Sequence, residues 1–349
     1  MGKKISFSCP MPEFDFDTIT LAHGSGGLLT NKLLDQGVFS LFSNEYLDRQ
    51  HDGAVFYNEG KLAFSTDSFV VSPIFFPGGN IGDLSMNGTM NDLAMCGAVP
   101  KFISLGLIIE EGLSVRELWK ILESIKGISD AFDVQVVTGD TKVVERGKGD
   151  KIFINTSGIG VVKKQANIGI ERIKEGDRIL VSGNIATHGM TIMSVRKGLE
   201  FQTALESDTQ YIGDTALELI DNFGSDIKFL RDPTRGGLAT VLNEIAGKLE
   251  LSIEIEEALL PILHESKSAC ELLGLDPIYV ANEGLFVAVV SPEISGEALD
   301  FLKQNEKCEG AAFIGSVTSA YPKKVVVKSA IGGRRIASML PGEQLPRIC

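Results

Sequence analysis

The chain has 349 residues, of which 44% are hydrophobic and 23% are charged, as in ordinary globular proteins. This length predicts about two domains of common size, each able to bury a sizeable core. With 33 basic and 46 acidic residues the formal net charge is −13, and the basic residues form only short pairs such as Lys163-Lys164, so nucleic-acid binding is not expected.

The hydrophobic and cysteine patterns argue against two further classes of protein. No apolar stretch has the length needed to cross a bilayer, and no signal-peptide run follows the basic start, so we expect a soluble, cytoplasmic protein without membrane contact. The five cysteines show no CxxC spacing and no neighbouring histidine, which argues against a zinc site or a disulfide framework. Cys349 differs from the others because it is the last residue.

In chain order, the first half combines strands and helices. Residues 1–17 contain two prolines and no clear period, which predicts a mobile arm. The glycine-rich loop at 23–27 opens a short helix at 28–34. Strand segments are predicted at 61–65 and 69–72, broken at Thr66-Asp67-Ser68. The remaining elements are helices at 81–96 and 115–132 and strands at 102–109, 134–137 and 152–162.

The second half begins after a connector at residues 169–177. The predicted strands are 178–182, 251–255, 285–290, 312–317 and 324–327, and the predicted helices are 190–197, 215–223, 238–248, 268–273 and 294–304. Mixed strands and helices in both halves predict two α+β domains. We place the domains at 21–165 and 176–330, after an arm at 1–20 and before a mobile tail at 331–349. The tail could reach at most about 60 Å, enough to carry Cys349 into a distant cleft.

Three acidic residues of the first half suit a magnesium–phosphate site. Asp67 and Asp140 are expected directly after strands, and Asp92 lies inside an otherwise apolar helix. Carboxylates supply the hard oxygen ligands that Mg²⁺ prefers, and Lys142 could contact the outer phosphates. Asp67 and Asp140 could equally be ordinary turn residues, whereas a carboxylate inside an apolar helix is costly unless it is paired or bound to metal.

Two glycine-rich stretches could approach a ligand closely. His23-Gly24-Ser25-Gly26-Gly27 precedes a helix and could bind phosphate through its N–H groups, although it matches no phosphate-loop motif and could be a flexible linker. Arg231-Asp232-Pro233-Thr234-Arg235-Gly236-Gly237 precedes another helix, and Asn282-Glu283 precedes a strand. Asp232 and Glu283 could also be a turn former and a solvated strand-end residue.

Six sequence runs together resemble a known family. They are Ser65-Thr66-Asp67-Ser68, Gly78-Gly79-Asn80-Ile81-Gly82, Asn91-Asp92-Leu93-Ala94, Thr138-Gly139-Asp140-Thr141-Lys142, Arg231 to Gly237, and Ala281-Asn282-Glu283-Gly284. In this order, and from about Leu21 to the ending Pro346-Arg347-Ile348-Cys349, the chain resembles the HypE family of hydrogenase-maturation proteins. The arm is longer than that family implies, Cys9 has no corresponding role, and His51 stands where an acidic residue is expected.

The resemblance implies a fold, a reaction and partners. The fold is the two-domain aminoimidazole ribonucleotide synthetase-like (PurM-like) fold, with an N-terminal domain that dimerises into a β-barrel, a C-terminal α/β sandwich and a flexible tail. The carbamoyltransferase HypF loads a carbamoyl group onto the terminal cysteine. ATP with Mg²⁺ then drives its dehydration to a thiocyanate, and the cyano group passes to iron on a HypC–HypD scaffold for the nickel–iron hydrogenase centre.

The same resemblance assigns residue roles. Cys349 acts as the thiolate nucleophile, and Lys142 and Glu283 are the candidate proton-abstracting bases. The metal ligands are expected to be Asp67, Asp92, Asp140 and Asp232. The residues expected to bind ATP are His23, Gly24, Gly26, Gly27, Asp67, Asn91, Asp92, Asp140, Lys142, Asp232 and Asn282.

Two other functions fit parts of the pattern. A selenophosphate synthetase or small-molecule kinase would share the acidic motifs, but the Pro-Arg-Ile-Cys ending argues against it. A non-catalytic carrier that merely presents Cys349 would need no nucleotide and would tolerate the loss of Asp92 and Asp140.

Overall fold

A computed structural model describes the chain at residues 10–25, 27–49, 53–199, 205–340, 342, 345, 348 and 349. Cys9, Gly26 and His51, which the sequence had singled out, lie outside the described residues. In the described part of the chain, no helix is both long and apolar enough to cross a membrane.

The first domain is built on a four-stranded sheet of order β1-β6-β4-β5. The β1–β6 and β6–β4 pairs are antiparallel, and the β4–β5 pair is parallel. The strands of this domain are β1 (Leu62–Phe69), β2 (Phe75–Phe76), β3 (Gly79–Asn80), β4 (Ala98–Glu110), β5 (Gln135–Val144) and β6 (Ile152–Val162). The helices are α1 (Leu28–Leu33), α2 (Ser40–Phe42), α3 (Ile81–Met95) and α4 (Val115–Ala131).

Helices α3 and α4 begin at side-chain caps. The Asn80 carboxamide accepts from the Gly82 N–H at the start of α3, and the Ser114 hydroxyl accepts from the Glu117 N–H at the start of α4. Helix α3 buries nearly its whole surface, whereas α4 buries one apolar face. Together they contribute much of the apolar core on one face of the sheet.

The other face of the sheet is open in the single chain. Phe64 of β1 is 68% exposed and Ile108 of β4 is 43% exposed, and the strands do not close into a barrel within the described residues. Asp140 pairs with Gly106, which alternates with buried Leu105 and Leu107, so Asp140 and Lys142 point to this open face. Open, partly apolar sheet faces commonly receive another subunit.

Helices 81–96 and 115–132 and the strand at 152–162 are confirmed. The predicted break at residues 66–68 is wrong, because β1 pairs without interruption and Asp67 lies opposite Thr156 of β6. The Asn155 carboxamide donates to the Asp67 carbonyl oxygen at 2.8 Å, so a polar side chain of the neighbouring strand supports the polar stretch. Asp140 likewise lies inside β5 and not after a strand.

The second domain contains a seven-stranded sheet of order β13-β12-β9-β11-β7-β10-β8, covered by helices on both faces. The β12–β9 pair is parallel and the others are antiparallel. Its strands are β7 (Arg178–Val181), β8 (Ile227–Arg231), β9 (Ser252–Glu256), β10 (Val287–Val290), β11 (Ala312–Thr318), β12 (Val325–Lys328) and β13 (Arg334–Ile336). Its helices are α5 (Thr187–Lys197), α6 (Gly213–Phe223), α7 (Gly237–Lys248), α8 (His264–Leu273) and α9 (Ser295–Lys303).

Both chain ends contain ordered segments that the sequence did not predict. In the expected arm, Ile19 is fully buried and its N–H donates to the Leu113 carbonyl, which attaches this segment to the first domain. In the expected mobile tail, β13 pairs with β12 and the next residue, Ala337, is buried. The tail that could move therefore begins later than residue 331.

Candidate active site

Acidic side chains from both domains converge between them. Alternation along β1 turns Ser65 and Asp67 toward α3, where the Ser65 hydroxyl donates to the Asp92 carboxylate at 2.7 Å. From the second domain, the Arg235 guanidinium approaches Asp67 at 3.5 Å. Burial, together with the charge of Asp67, raises the pKa of Asp92, and burial also raises the pKa of Asp67.

Asp232 enters the same cluster from the loop after β8. Burial and the nearby Asp92 charge raise the pKa of Asp232 to about 7. Gly236 and Gly237, which follow, have positive φ values of 72° and 59°. A Cβ on Gly237 would lie 2.5 Å from the Val280 carbonyl oxygen, so this close approach requires glycine.

Glu283 and Cys349 form the innermost part of the cluster. The Cys349 thiol lies beside the Glu283 carboxyl, and the two residues are only 7% and 4% exposed. Burial and the neighbouring acids hold the pKa of Glu283 well above its usual range, and burial and the Glu283 carboxylate do the same to the Cys349 thiol. Glu283 Oε1 has no hydrogen-bond partner among the described residues, so one oxygen of a buried carboxyl remains available.

The last two residues are docked by both domains. The Val70 N–H, directly after β1, donates to an α-carboxylate oxygen of Cys349 at 3.1 Å. His188 Nε2, on α5, lies 2.8 Å from the Ile348 carbonyl oxygen. Ile348 is buried in the same apolar core as the first-domain helices, so the described tail end occupies an inner position.

Asn91 and Asn282, expected at the nucleotide, brace the site from within. The Asn91 carboxamide bonds the Gln210 carbonyl and the Ile212 N–H, and that of Asn282 bonds Pro233, Val280 and Ala186 backbone groups. Both side chains are buried and fully engaged in the protein. Their contact with a nucleotide stays a prediction.

Asp140 and Lys142 do not join this cluster within one chain. They form an ion pair of 2.5 Å on β5, at the sheet edge opposite β1 and on the opposite face from Asp67. Three strand spacings separate β1 from β5, or about 14 Å. The predicted metal set therefore comes together only in part, as Asp67, Asp92 and Asp232.

The glycine-rich loop packs beside Asp140 and Lys142. A Cβ on Gly24 would meet the Val143 N atom at 2.5 Å, and Gly24 lines a cavity of about 190 Å³ with Asp140 and Lys142. His23 is buried, with Nδ1 3.0 Å from the Thr20 hydroxyl, and Gly27 directly precedes α1. A second group, separate from Cys349, is thus formed by the glycine-rich loop, Asp140 and Lys142.

The donor set of the inner cluster suits a hard cation. Asp67, Asp92 and Asp232 present only carboxylate oxygens, and their mutual repulsion would be relieved by a divalent ion such as Mg²⁺. Among the described residues, however, these neighbouring carboxylates are not arranged closely enough to form a ready-made metal site. A cation bound here would therefore need oxygens from its ligand or water to complete its shell.

Sequence reasoning missed His188 and Asp208. The Asp208 carboxylate accepts from the backbone N–H groups of Glu283 and Gly284 at 3.1–3.3 Å, and burial raises the pKa of Asp208 to about 6. Neither residue lies in a glycine-rich or strand-end motif. Only their burial against the tail and the Glu283 loop reveals them.

Comparison with known proteins places the chain among related structures. The N-terminal domain model of AIR synthase related proteins matches residues 50–162, and the C-terminal domain model matches residues 174–328. Carbamoyl dehydratase HypE of Bradyrhizobium diazoefficiens is 44% identical over 332 residues, which are 95% of this chain and 96% of that protein. The resemblance read from the sequence is thereby confirmed.

Solved structures agree. A crystal structure of hydrogenase maturation protein HypE in complex with ATP has a TM-score of 0.90 and 44% identity, over 94% of this chain and 99% of that chain. A crystal structure of a HypE–HypF complex has a TM-score of 0.77 and 43% identity, over 88% of this chain and 99% of that chain.

Proposed function

The chain belongs to the HypE family of carbamoyl dehydratases, and we propose that it uses ATP to convert an S-carbamoyl group on its own Cys349 into a thiocyanate. The observation that carries this proposal is the docked Cys349 side chain, buried between carboxylates of both domains and beside Glu283. A terminal thiol that merely presented a group to partners would have no need of such a site.

The proposed reaction needs a phosphoryl donor and a proton acceptor. Transfer of the γ-phosphoryl group to the carbamoyl oxygen makes that oxygen a good leaving group. Loss of both amide protons and of phosphate then forms the carbon–nitrogen triple bond, so the carbamoyl oxygen leaves as phosphate. Glu283, buried with one unpartnered oxygen, is the best-placed group to exchange a proton with the carbamoyl nitrogen, and its raised pKa makes its ionised form a stronger base than an ordinary carboxylate.

Asp67, Asp92 and Asp232 are the residues that would hold Mg²⁺ with the nucleotide phosphates. The bound ion would neutralise phosphate charge. Arg235, which approaches Asp67 at 3.5 Å and is itself largely exposed, can turn toward a phosphate oxygen. The ATP complex of the related HypE structure supports nucleotide binding by this fold.

A homodimer accounts for the position of Asp140 and Lys142. These residues face the open side of the first-domain sheet, whose exposed Phe64 and Ile108 would be buried by a second copy. A partner subunit could then bring its glycine-rich loop, Asp140 and Lys142 toward the nucleotide. In this arrangement the main role of Lys142 is to contact phosphate, and its second role is that of a candidate base beside Glu283.

The tail must also leave the site. A HypF-type carbamoyltransferase cannot reach a thiol that is 7% exposed, so loading requires an outer tail position. The HypE–HypF complex of the related protein supports HypF as this partner. We further propose that a HypC–HypD iron scaffold receives the cyano group, and that these steps occur in the cytoplasm.

The test is the mass of the C-terminal peptide. The protein is incubated with the carbamoyltransferase and its carbamoyl source, and then with or without Mg-ATP. In the sample that receives no Mg-ATP in the second incubation, we expect the C-terminal peptide to carry a carbamoyl group. In the sample that receives Mg-ATP, we expect a thiocyanate on that peptide. A carbamoyl group that persists unchanged through ATP hydrolysis would contradict the proposal, and Cys349→Ala serves as the unmodifiable control.

A further inference from the structure

His188 is a fully buried histidine that the proposed chemistry does not use. Its Nε2 lies 2.8 Å from the Ile348 carbonyl oxygen, and its Nδ1 lies 2.7 Å from the Ser207 hydroxyl. The Phe76 ring packs edge-on against the imidazole at 5.6 Å between centroids. Both ring nitrogens are therefore engaged, and one contact is to the residue directly before Cys349.

The hydrogen-bond directions assign the tautomer. A carbonyl oxygen only accepts, so Nε2 carries the proton that is donated to Ile348. The Thr209 N–H donates to the Ser207 hydroxyl at 3.1 Å, which leaves the hydroxyl proton free to point at His188 Nδ1. Burial lowers the pKa of His188 to about 4, so the neutral ring that satisfies all three bonds is the form present near neutral pH.

The neighbour of Ser207 ties this arrangement to Glu283. The Asp208 carboxylate accepts from the backbone N–H groups of Glu283 and Gly284, and the nearby backbone N–H of His188 favours its ionised form. A Cβ on Gly284 would overlap the Asp208 carbonyl oxygen, so the two segments approach as closely as glycine allows. The residue that holds the tail and the carboxylate that contacts the thiol are thus fixed to the same short segment.

We propose that His188 is a positioning residue that fastens the tail in its inner position and aligns the Cys349 sulfur with Glu283. His188 holds the Ile348 carbonyl from the second domain, and the Val70 N–H holds the Cys349 α-carboxylate from the first. The thiol is therefore fixed on both sides by backbone contacts that do not depend on what the sulfur carries. Only the catalytic consequence of this alignment rests on the proposed function.

The experiment measures how fast iodoacetamide alkylates Cys349, with exposed Cys96 as an internal reference in the same protein. In His188→Phe, which keeps a ring against Phe76 but removes the donor, we expect Cys349 to react about tenfold faster, because one buried hydrogen bond is lost and the carbonyl is left unpaired. His188→Gln, whose side-chain amide can still donate to Ile348, should restore most of the slow rate.

Wild-type reactivity of Cys349 in His188→Phe, or equal reactivity of the Phe and Gln variants, would overturn the proposal. If His188→Phe does not fold, Ser207→Ala decides instead, since it removes only the hydroxyl that directs the ring and should speed alkylation of Cys349 but not of Cys96. An unchanged ratio in that variant counts against His188. If the wild-type protein makes no thiocyanate while these ratios hold, the proposed function fails and the positioning role stands.

Discussion

Replacing Asp232 with asparagine should stabilise the ligand-free protein at alkaline pH. The pKa of Asp232 is raised from 3.8 to about 7 by burial and by Asp92, so the folded protein binds this proton more tightly than the unfolded chain does. The resulting stability is fully present below about pH 4 and is lost as the pH rises through about 7. Above that pH, the ionised carboxylate destabilises the fold.

The size of the stability gain in Asp232→Asn follows from the shift in the pKa of Asp232. A change of about three pKa units corresponds to about 4 kcal/mol at full ionisation. Because Asp232 is only partly buried, solvent screening reduces this to about 2–3 kcal/mol. Asp232→Asn removes the charge but keeps the shape, and should gain that amount in unfolding free energy at about pH 8 and much less at about pH 5.

Urea denaturation at the two pH values measures this gain. Adding Mg²⁺ alone should reduce the difference in unfolding free energy between the variant and the wild-type protein at pH 8. The reason is that a cation stabilises the wild-type carboxylates and not the amide. Asp140→Asn is the matched control, since Asp140 is exposed and forms an exposed ion pair with Lys142, and its stability change should be below about 1 kcal/mol at both pH values. An equal gain for Asp232→Asn at both pH values would refute the electrostatic reasoning.

Three further predictions concern ligand, assembly and tail. Asp92→Ala should weaken Mg-ATP binding at least about tenfold in calorimetry and leave Mg-free ATP binding unchanged; equal loss in both conditions would argue against a metal role. Sedimentation at roughly tens of micromolar, a range suited to an interface of standard size, should show that Phe64→Glu converts a dimer to a monomer. Tyr321→Glu on the second domain should leave the dimer intact. One residue added after Cys349 should suppress thiocyanate formation but spare ATP binding, because the Cys349 α-carboxylate is held by Val70 in a closed site; normal thiocyanate formation would remove any role for the terminal position.

The sequence predicted those features whose signal is local. Helix α3 and its carboxylate Asp92 were recognisable because a charge interrupts an otherwise apolar or small-residue run. The Gly236-Gly237 pair also indicated an unusual loop, and the structure explains it by two positive φ values and the close Val280 carbonyl. Such constraints act within a few residues and can be read without knowing the fold.

Features that depend on long-range packing were not predictable in this way. The continuity of β1 through Asp67 depends on pairing with β6, about 90 residues away in sequence. Because Asp67 and Asp140 were expected after strands, the alternation that turns them to opposite faces could not be seen. Glu283 meets Cys349, and His188 meets the tail, only because the two domains and the tail pack together. No periodic pattern in the sequence reports that packing.

Strand β13 has a consequence for how this protein meets its substrate. It anchors the chain at Ile336, so residues 337–349 alone connect the second-domain sheet to Cys349. A chain of that length has a root-mean-square span of about 20 Å, and such short tethers give effective concentrations on the order of millimolar. A separate peptide with the same ending would have to reach that concentration to compete for the site. The docking of Cys349 in its own chain's site is therefore insensitive to protein concentration, whereas any encounter with another chain responds to dilution.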